Sequence, residues 1–501
     1  MIFFRIRLLY TVQIIVDFEY IQIIPMENII LEKKQVNVSR IFEAQKANLQ
    51  SVKNSTTEER KAKLRKLKSA IEARETEIFD ALKKDLRKSA FESSLSEVFF
   101  IYGEIDFAIK NLSKWNSPHK VSSNLINLSA KCKIKYEPKG LCLIIAPWNY
   151  PFQLILAPLV SAIAAGNCCV LKSSKLVPEI SKVLAKMVNE IFDKKEIYFI
   201  EGHLVDSNEL LKFPFNHIFF TGSTEVGKLI MEAAAKHLSS VTLELGGKSP
   251  VIIDDSADLK YTATKIAWGK LLNSGQTCIA PDYAFVHESK KSEFIKLLKE
   301  RIEKNYFQNG KLNKDDYGKI VSAGQFNRLK ALVNNAVEGG ANIEFGGIFE
   351  DTDQTVYPTI LNNVDLNSDI MKEEIFGPIL PIISYKNISE VINYINANNK
   401  PLALYVFSDN NKNAEYILNN TSSGGACVNE VLLHITNPNF PFGGVNSSGM
   451  GGSHGFFGFK SFSHERSVLY QSKMLEMSNS IYPPYGGKSK EMVLKMMRKM
   501  I

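Results

Sequence analysis

From Gly140 onward, short and almost wholly apolar runs alternate with amphipathic stretches, and this alternation constrains the fold more than any other feature. Leu141 to Ile145, Cys168 to Leu171, Ile197 to Ile200 and Ile218 to Phe220 are each three to five residues of near-continuous hydrophobicity. Val177 to Ile191 carries its apolar residues at helical spacing instead. A strand with one wet face alternates polar and apolar residues, whereas a strand that is apolar throughout is covered on both faces. Such strands separated by helices predict a doubly covered parallel sheet of the α/β class. After Gly246 the pattern restarts, with strands at Val251 to Ile253 and Tyr283 to Val286 and helices at Tyr261 to Leu272 and Lys291 to Lys304. A second α/β unit is therefore expected. Upstream, Val38 to Lys114 reads as helix after helix, and Lys131 to Tyr136 as a short strand leaving that block. Asn437 to Gly455 is rich in Gly, Ser and Asn and reads as loop.

The length of 501 residues allows two large domains or about three of ordinary size. Apolar residues at 45% and charged residues at 23% exclude collagen-like, coiled-coil and mostly disordered chains. A net charge of +8 is mild for this size and makes no case for a nucleic-acid partner. The six cysteines show no Cys-x-x-Cys spacing and no disulfide framework, so no metal site is expected and a reducing, cytoplasmic setting is the default.

Both ends stand apart. Arg5 and Arg7 precede the apolar run Leu8 to Val16, but Asp17 and Glu19 follow it without a small-residue cleavage site. Residues 1–25, which Met26 follows closely, are read as a dispensable extension or a misplaced start, with targeting or membrane contact as the alternative. In the tail, Lys488, Glu491, Lys495, Arg498 and Lys499 fall at helical spacing, with Met492, Met496, Met497 and Met500 interleaved. That is a basic amphipathic helix, too short and too charged to span a bilayer. It is read as a solvated or subunit-packed tail, with peripheral membrane contact as the alternative.

Four segments carry chemistry. Cys278, in Asn273-Ser-Gly-Gln-Thr-Cys-Ile-Ala-Pro, is the one cysteine set among Gly, polar residues and Pro. A buried structural thiol is the usual role of a cysteine, but one on a polar turn can meet a substrate as its thiolate. Glu244, inside an apolar strand before Gly-Gly, is costly unless it is paired or serves as a general base raised by burial. Phe220-Thr-Gly-Ser-Thr-Glu-Val-Gly-Lys228 reads as strand, turn and helix, and its free amides suit a pyrophosphate as well as an ordinary cap. Asn149, in Pro147-Trp-Asn-Tyr-Pro151, is either a turn residue bonding its own backbone or an amide aimed at an oxyanion.

Together these segments resemble the aldehyde dehydrogenase family over about residues 38–470. The resemblance also uses Leu-Glu-Leu-Gly-Gly-Lys-Ser-Pro at 243–250, Glu-Glu-Ile-Phe-Gly-Pro at 373–378, Pro-Phe-Gly-Gly-Val at 441–445 and the 34-residue interval from Glu244 to Cys278. Ala-Pro-Asp-Tyr at 280–283, Ser-Ser-Gly-Met-Gly at 447–451 and Phe-Ser-His-Glu-Arg-Ser at 462–467 are similar to its class 3 branch of fatty, medium-chain and aromatic aldehyde dehydrogenases.

The resemblance implies that Cys278 attacks the aldehyde, Asn149 and the Cys278 amide hold the oxyanion, and Glu244 activates the water that hydrolyses a thioester. It implies NAD or NADP as cofactor, contacted by Lys172, Gly222, Ser223, Gly227, Glu374 and Phe376. It also implies a homodimer and a Rossmann-type cofactor domain (38–117 and 138–243). A catalytic domain (244–445) and a bridging arm (118–137 and 446–470) would lie between the extension 1–37 and the tail 471–501. Two rivals remain: a coenzyme A-acylating relative, which often lacks the base that Glu244 would supply, and a non-catalytic cofactor-binding protein.

The sequence departs from the family twice. Where relatives have Lys-Pro-Ser-Glu, with the Glu on the adenosine ribose, this chain has Lys172-Ser-Ser-Lys175. A lysine there attracts the 2′-phosphate that a carboxylate repels, so acceptance of NADP is expected, with a Lys175 turned to solvent and a loose cofactor choice as the alternative. Asn446 replaces a family glycine, and Asn tolerates a left-handed turn.

Overall fold

The computed structural model describes residues 36–498 apart from 125, 126, 128 and 474–481. The expectations for residues 1–25, and for Lys499 and Met500 of the tail, fall outside the described residues. Residues from Val38 to Trp115 are helical in successive segments, as their spacing predicts. Thr56 and Glu59 cap Thr57–Glu72 reciprocally, each satisfying an amide that the first turn leaves free. One feature of this block was not expected: Ser94–Val98 is a π-turn set between Ala90–Ser93 and Phe99–Trp115.

The first sheet has six strands. Gly449–Met450 lies at one edge, followed by Ser240–Glu244, His217–Thr221, Leu141–Ile145, Cys168–Lys172 and Ile197–Ile200. All neighbours are parallel except the Gly449–Met450 edge. Every residue of Leu141–Ile145, Cys168–Lys172 and His217–Thr221 is buried, which is why these segments are apolar without alternation. The chain runs outward from Leu141–Ile145 through Cys168–Lys172 to Ile197–Ile200, then returns to His217–Thr221 on the other side. That reversal is a topological switch point, and ligands bind outside the carboxyl ends of the strands there.

The second sheet has seven strands, in the order Asn342–Phe345, Thr359–Asn362, Ile379–Tyr385, Tyr283–His287, Pro250–Ile253, Ala403–Phe407 and Gly425–Val428. Only the first of these runs antiparallel. Ser240–Glu244 is the last parallel strand of the first sheet, and after five intervening residues the chain enters Pro250–Ile253 of the second. The carboxyl ends of the first sheet thus face the amino ends of the second, and the candidate site lies where they meet.

Residues 446–470 divide three ways. Gly449–Met450 joins the first sheet, and Gly455–Ser461 forms a helix. Gly458 of that helix lies so close to Ser161 that a Cβ would sit 2.3 Å from its Oγ. Ser463–Tyr470 pairs with Lys131–Pro138 in a three-stranded arm that His119–Val121 completes. Asn446 takes the left-handed φ of 56° that its turn requires. Lys488–Arg498 is helical. Among the described residues no helix is long and apolar enough to cross a membrane, and no three His, Cys, Asp or Glu gather as a metal ion would need.

Candidate active site

The segment before Cys278 is bent through three consecutive left-handed residues, Asn273 (φ 52°), Ser274 (φ 52°) and Gly275 (φ 74°). At Gly275 the bend requires glycine, because a Cβ would lie 2.3 Å from the Gly377 carbonyl oxygen. The strain at Asn273 and Ser274 is held by bonds from several elements. Glu92 accepts from the Asn273 amide at 2.8 Å, and the Asn273 side chain donates to the carbonyls of Asn149 at 2.8 Å and Gln276 at 3.2 Å. The Gln276 side chain in turn bonds Asn273 O, Lys319 O and the Val321 amide, each at 3.0 Å. Tyr405 Oη donates to Ile279 O at 2.5 Å. The cysteine is therefore fixed from both sides.

Cys278 keeps a partly exposed surface, although its thiol is sunk among protein atoms. Burial first, and then the nearby Glu374 and Glu244 carboxylates, push the thiol well above its ordinary value, while the Cys278 and Ile279 amides pull it down. Of the other cysteines, Cys142, Cys168 and Cys169 are buried, and none of the six is in a disulfide. Cys132 and Cys427 are only partly buried, and Cys427 Sγ lies 3.3 Å from His434 Nδ1.

Asn149 follows the end of Leu141–Ile145 and is buried. Its Nδ2 donates to Gln276 O at 3.1 Å, which leaves a second N–H on the same nitrogen. The amide is therefore tied to the nucleophile's loop rather than to its own turn.

Glu244 ends its strand 5% exposed, and neither carboxyl oxygen has a hydrogen-bond partner of ordinary geometry. The Ser453 hydroxyl is near enough to lower the carboxyl slightly, but burial dominates and raises it to about 8. A buried carboxyl without a partner is expensive, and a proton held this tightly by a carboxyl marks functional sites.

The predicted cofactor residues lie at the carboxyl edge of the first sheet and beside Cys278. Lys172 ends Cys168–Lys172 and is buried. Burial lowers its ammonium, and Lys175 lowers it further, against Asp206 which raises it. Its Nζ makes only long bonds, to Ser173 O at 3.3 Å and Gly202 O at 3.4 Å. Lys175 is exposed. Ser223 caps Thr224–Ala235, and Gly222 precedes it. Gly227 lets that helix lie close to the chain after the strand, since a Cβ there would meet Leu245 at 2.8 Å. Glu374 is raised to about 8, by burial first and then by Asp282, and its Oε2 would lie 2.1 Å from a Cβ on Gly246. Phe376, at φ 52°, packs edge-on to Trp148 with ring centres 5.4 Å apart.

Sequence reading missed Lys88, Glu92, Glu97 and Asn273. The three charges lie in a block that reads as ordinary solvated helix, and only their long-range bonds single them out.

A profile of the aldehyde dehydrogenase family matches residues 29–468. Aldehyde dehydrogenase family 3 member A2 of Mus musculus is 45% identical over 422 residues, which is 84% of this chain and 86% of that protein. The solved substrate-bound state of Staphylococcus aureus AldH aligns with a TM-score of 0.87 at 41% identity, covering 92% of this chain and 99% of that one. Betaine aldehyde dehydrogenase from Staphylococcus aureus, solved in complex with NAD+, aligns at 0.79 and 26% identity over 88% of each chain. The chain belongs to the aldehyde dehydrogenase family and is an oxidoreductase acting on aldehydes.

Proposed function

We propose that this chain oxidises an aldehyde to its carboxylic acid through a thioester on Cys278. The observation that carries the reading is Glu244, a buried and unpartnered carboxyl raised to about 8 and close enough to Cys278 to affect its thiol. The residues fit a nicotinamide cofactor. Lys172 is a buried ammonium with only long bonds, Ser223 opens a twelve-residue helix, and Glu374 faces a backbone that only glycine permits. Lys172, Gly222, Ser223 and Gly227 would hold the adenosine and pyrophosphate end, and Glu374 and Phe376 the nicotinamide end. When bound, the oxidised nicotinamide supplies the acceptor for the hydride that leaves the substrate carbon.

The Cys278 thiol gives up its proton to solvent water, and the thiolate sulfur adds to the aldehyde carbon as the carbonyl π-bond opens. The new oxyanion accepts from the free Asn149 N–H and from the Cys278 amide, and one such donor is worth about 2.7–4 kcal/mol. Loss of hydride leaves a thioester. Ionised Glu244 takes a proton from water, the hydroxyl adds to the thioester carbon, and the carbon–sulfur bond breaks to return the thiolate and the acid. The apolar cluster beside Cys278, including Tyr405, Leu432 and Phe442, suits a medium- or long-chain aliphatic or aromatic tail. Steady-state oxidation of an aldehyde panel with NAD and NADP tests the reading. Wild-type oxidation should vanish in Cys278→Ala, and a Cys278→Ala enzyme of full activity overturns it.

Three finer readings accompany it. Lys175 attracts a 2′-phosphate, so NADP is accepted. The arm ending in Leu469 and Tyr470, both exposed, pairs two copies into a homodimer, which light scattering checks; a monomer overturns it. The exposed Met492, Leu494 and Met497 beside Lys488, Lys495 and Arg498 suit peripheral contact with an anionic membrane. Liposome co-sedimentation unchanged by removal of residues 486–501 refutes that contact.

A further inference from the structure

Three charged side chains of the helical block point inward at the site, yet none takes part in the reaction above. Glu92 bonds the Asn273 amide at 2.8 Å, and Lys88 and Glu97 bond each other at 2.6 Å with neither side chain exposed. The register between them is unusual. In an unbroken α-helix the residue one turn beyond Glu92 on its face is Ser96. The π-turn Ser94–Val98 lengthens that step to five residues and brings Glu97 inward instead.

Glu97 Oε2 accepts from the amides of Phe152 and Gln153 at 3.0 and 2.9 Å, where the helix Gln153–Ala165 begins. Lys88 Nζ also donates to the Asn149 carbonyl at 2.9 Å and sits 3.9 Å over the Tyr150 ring. The pair therefore grips both ends of the Asn149–Gln153 turn. Asn273 donates to the same Asn149 carbonyl from the nucleophile's loop. Stability gives no reason for this arrangement, because apolar side chains of similar volume are often as stable as a buried ion pair.

We propose that Lys88 and Glu97 are positioning residues that aim the Asn149 amide at the oxyanion. The inference rests on the oxyanion role proposed for Asn149. Lys88 fixes the Asn149 peptide, Glu97 fixes Lys88 and the Phe152 and Gln153 amides, and Gln276 O accepts a hydrogen bond from one of the two Asn149 side-chain N–H groups. The remaining N–H then has one direction in which to point. A displacement of about 1 Å at such a donor costs on the order of 100-fold in rate.

The test is a double-mutant cycle on the holoenzyme, read as the single-turnover burst of NADH from an aldehyde. Lys88→Met alone strands a buried carboxylate and is prone to misfold, so Lys88→Met/Glu97→Gln is the working variant. It removes both charges and keeps an acceptor for the two amides. The burst rate should fall by about 10- to 100-fold, with the aldehyde KM and the NADH affinity nearly unchanged. In an Asn149→Ala background the same pair of changes should cost less than about 3-fold. An equal fall in both backgrounds, or a fall matched by lost NADH affinity, overturns the proposal. An Asn149→Ala enzyme with an unchanged burst fails earlier and differently, since it removes the oxyanion assignment itself.

Discussion

Tyr150 Oη and Thr277 Oγ1 lie 2.6 Å apart, joining the residue after Asn149 to the residue before Cys278. This bond crosses from the carboxyl edge of one sheet to the amino edge of the other, and it sets how far the oxyanion donor stands from the nucleophile. Tyr150→Phe removes it and leaves the buried Thr277 hydroxyl unpaired, a loss of about 1–3 kcal/mol. The expected result is a lower melting temperature together with a slower burst. Thr277→Val in the same protein should restore most of the stability without restoring the burst rate. Calorimetry and stopped-flow fluorescence separate the two, and recovery of both together contradicts the geometric role.

Glu244→Gln divides the two halves of the reaction. Acylation needs Cys278 and Asn149, whereas deacylation needs a base. The variant should give one equivalent of NADH per active site and then nearly stop, with kcat reduced by about 10²–10⁴-fold. Deacylation in the wild-type enzyme should rise tenfold per pH unit and level off above about 8, because Glu244 must ionise to act and burial holds it near that value. A steady-state limb centred near the ordinary carboxylate range contradicts the assignment.

The same carboxyl links stability to pH. Its folded value, about 8, lies above the ordinary carboxyl value of 4.5, so the folded state binds more protons between the two. Its stabilising effect is whole below the unfolded value and is lost as pH rises toward 8. Glu244→Gln has no such proton to lose. The variant's melting temperature should therefore gain on the wild type as pH goes from 5 to 9, by an amount worth a few kcal/mol. A constant difference across that range shows that Glu244 is paired in solution.

Much of this arrangement is legible in the chain, and the reasons differ by residue. Cys168–Lys172 and Leu141–Ile145 declare themselves because a strand covered on both faces has no polar alternation to hide it. Glu244 stands out because a carboxylate inside such a run violates the pattern. Cys278 is legible from its polar turn, and Ser223 from its cap position. Lys88 and Glu97 are not, since a charge nine residues from another in a helical block reads as solvated surface. Their roles depend on Asn149 and Phe152, more than fifty residues away. The π-turn that aligns Glu92 with Glu97 has no periodic signature, being one extra residue. The left-handed Ser274 is equally silent, because its backbone is fixed by Gly377 packing on Gly275 and not by its own side chain.

Gly246→Ala tests the nicotinamide end. The added methyl would sit 2.1 Å from Glu374 Oε2, so the carboxylate must swing away. The KM for the cofactor should rise by about tenfold or more while the burst amplitude at saturating cofactor is kept. Unchanged cofactor affinity means that Glu374 makes no contact there.

Lys175 decides the adenosine end. It is exposed three residues beyond the buried Lys172, and its charge is felt there, lowering the Lys172 ammonium. Reversing one charge about 4 Å from a phosphate in water changes the interaction by about 2 kcal/mol, or roughly 30-fold. Lys175→Glu should therefore cut kcat/KM for NADP by about that factor and change the NAD value less than about 3-fold. Because the interaction is exposed, raising the salt concentration should shrink the difference between wild type and variant. A wild-type enzyme with a large preference for NAD, or a variant that loses both cofactors equally, removes Lys175 from cofactor choice and leaves the adenosine ribose to Lys172 alone.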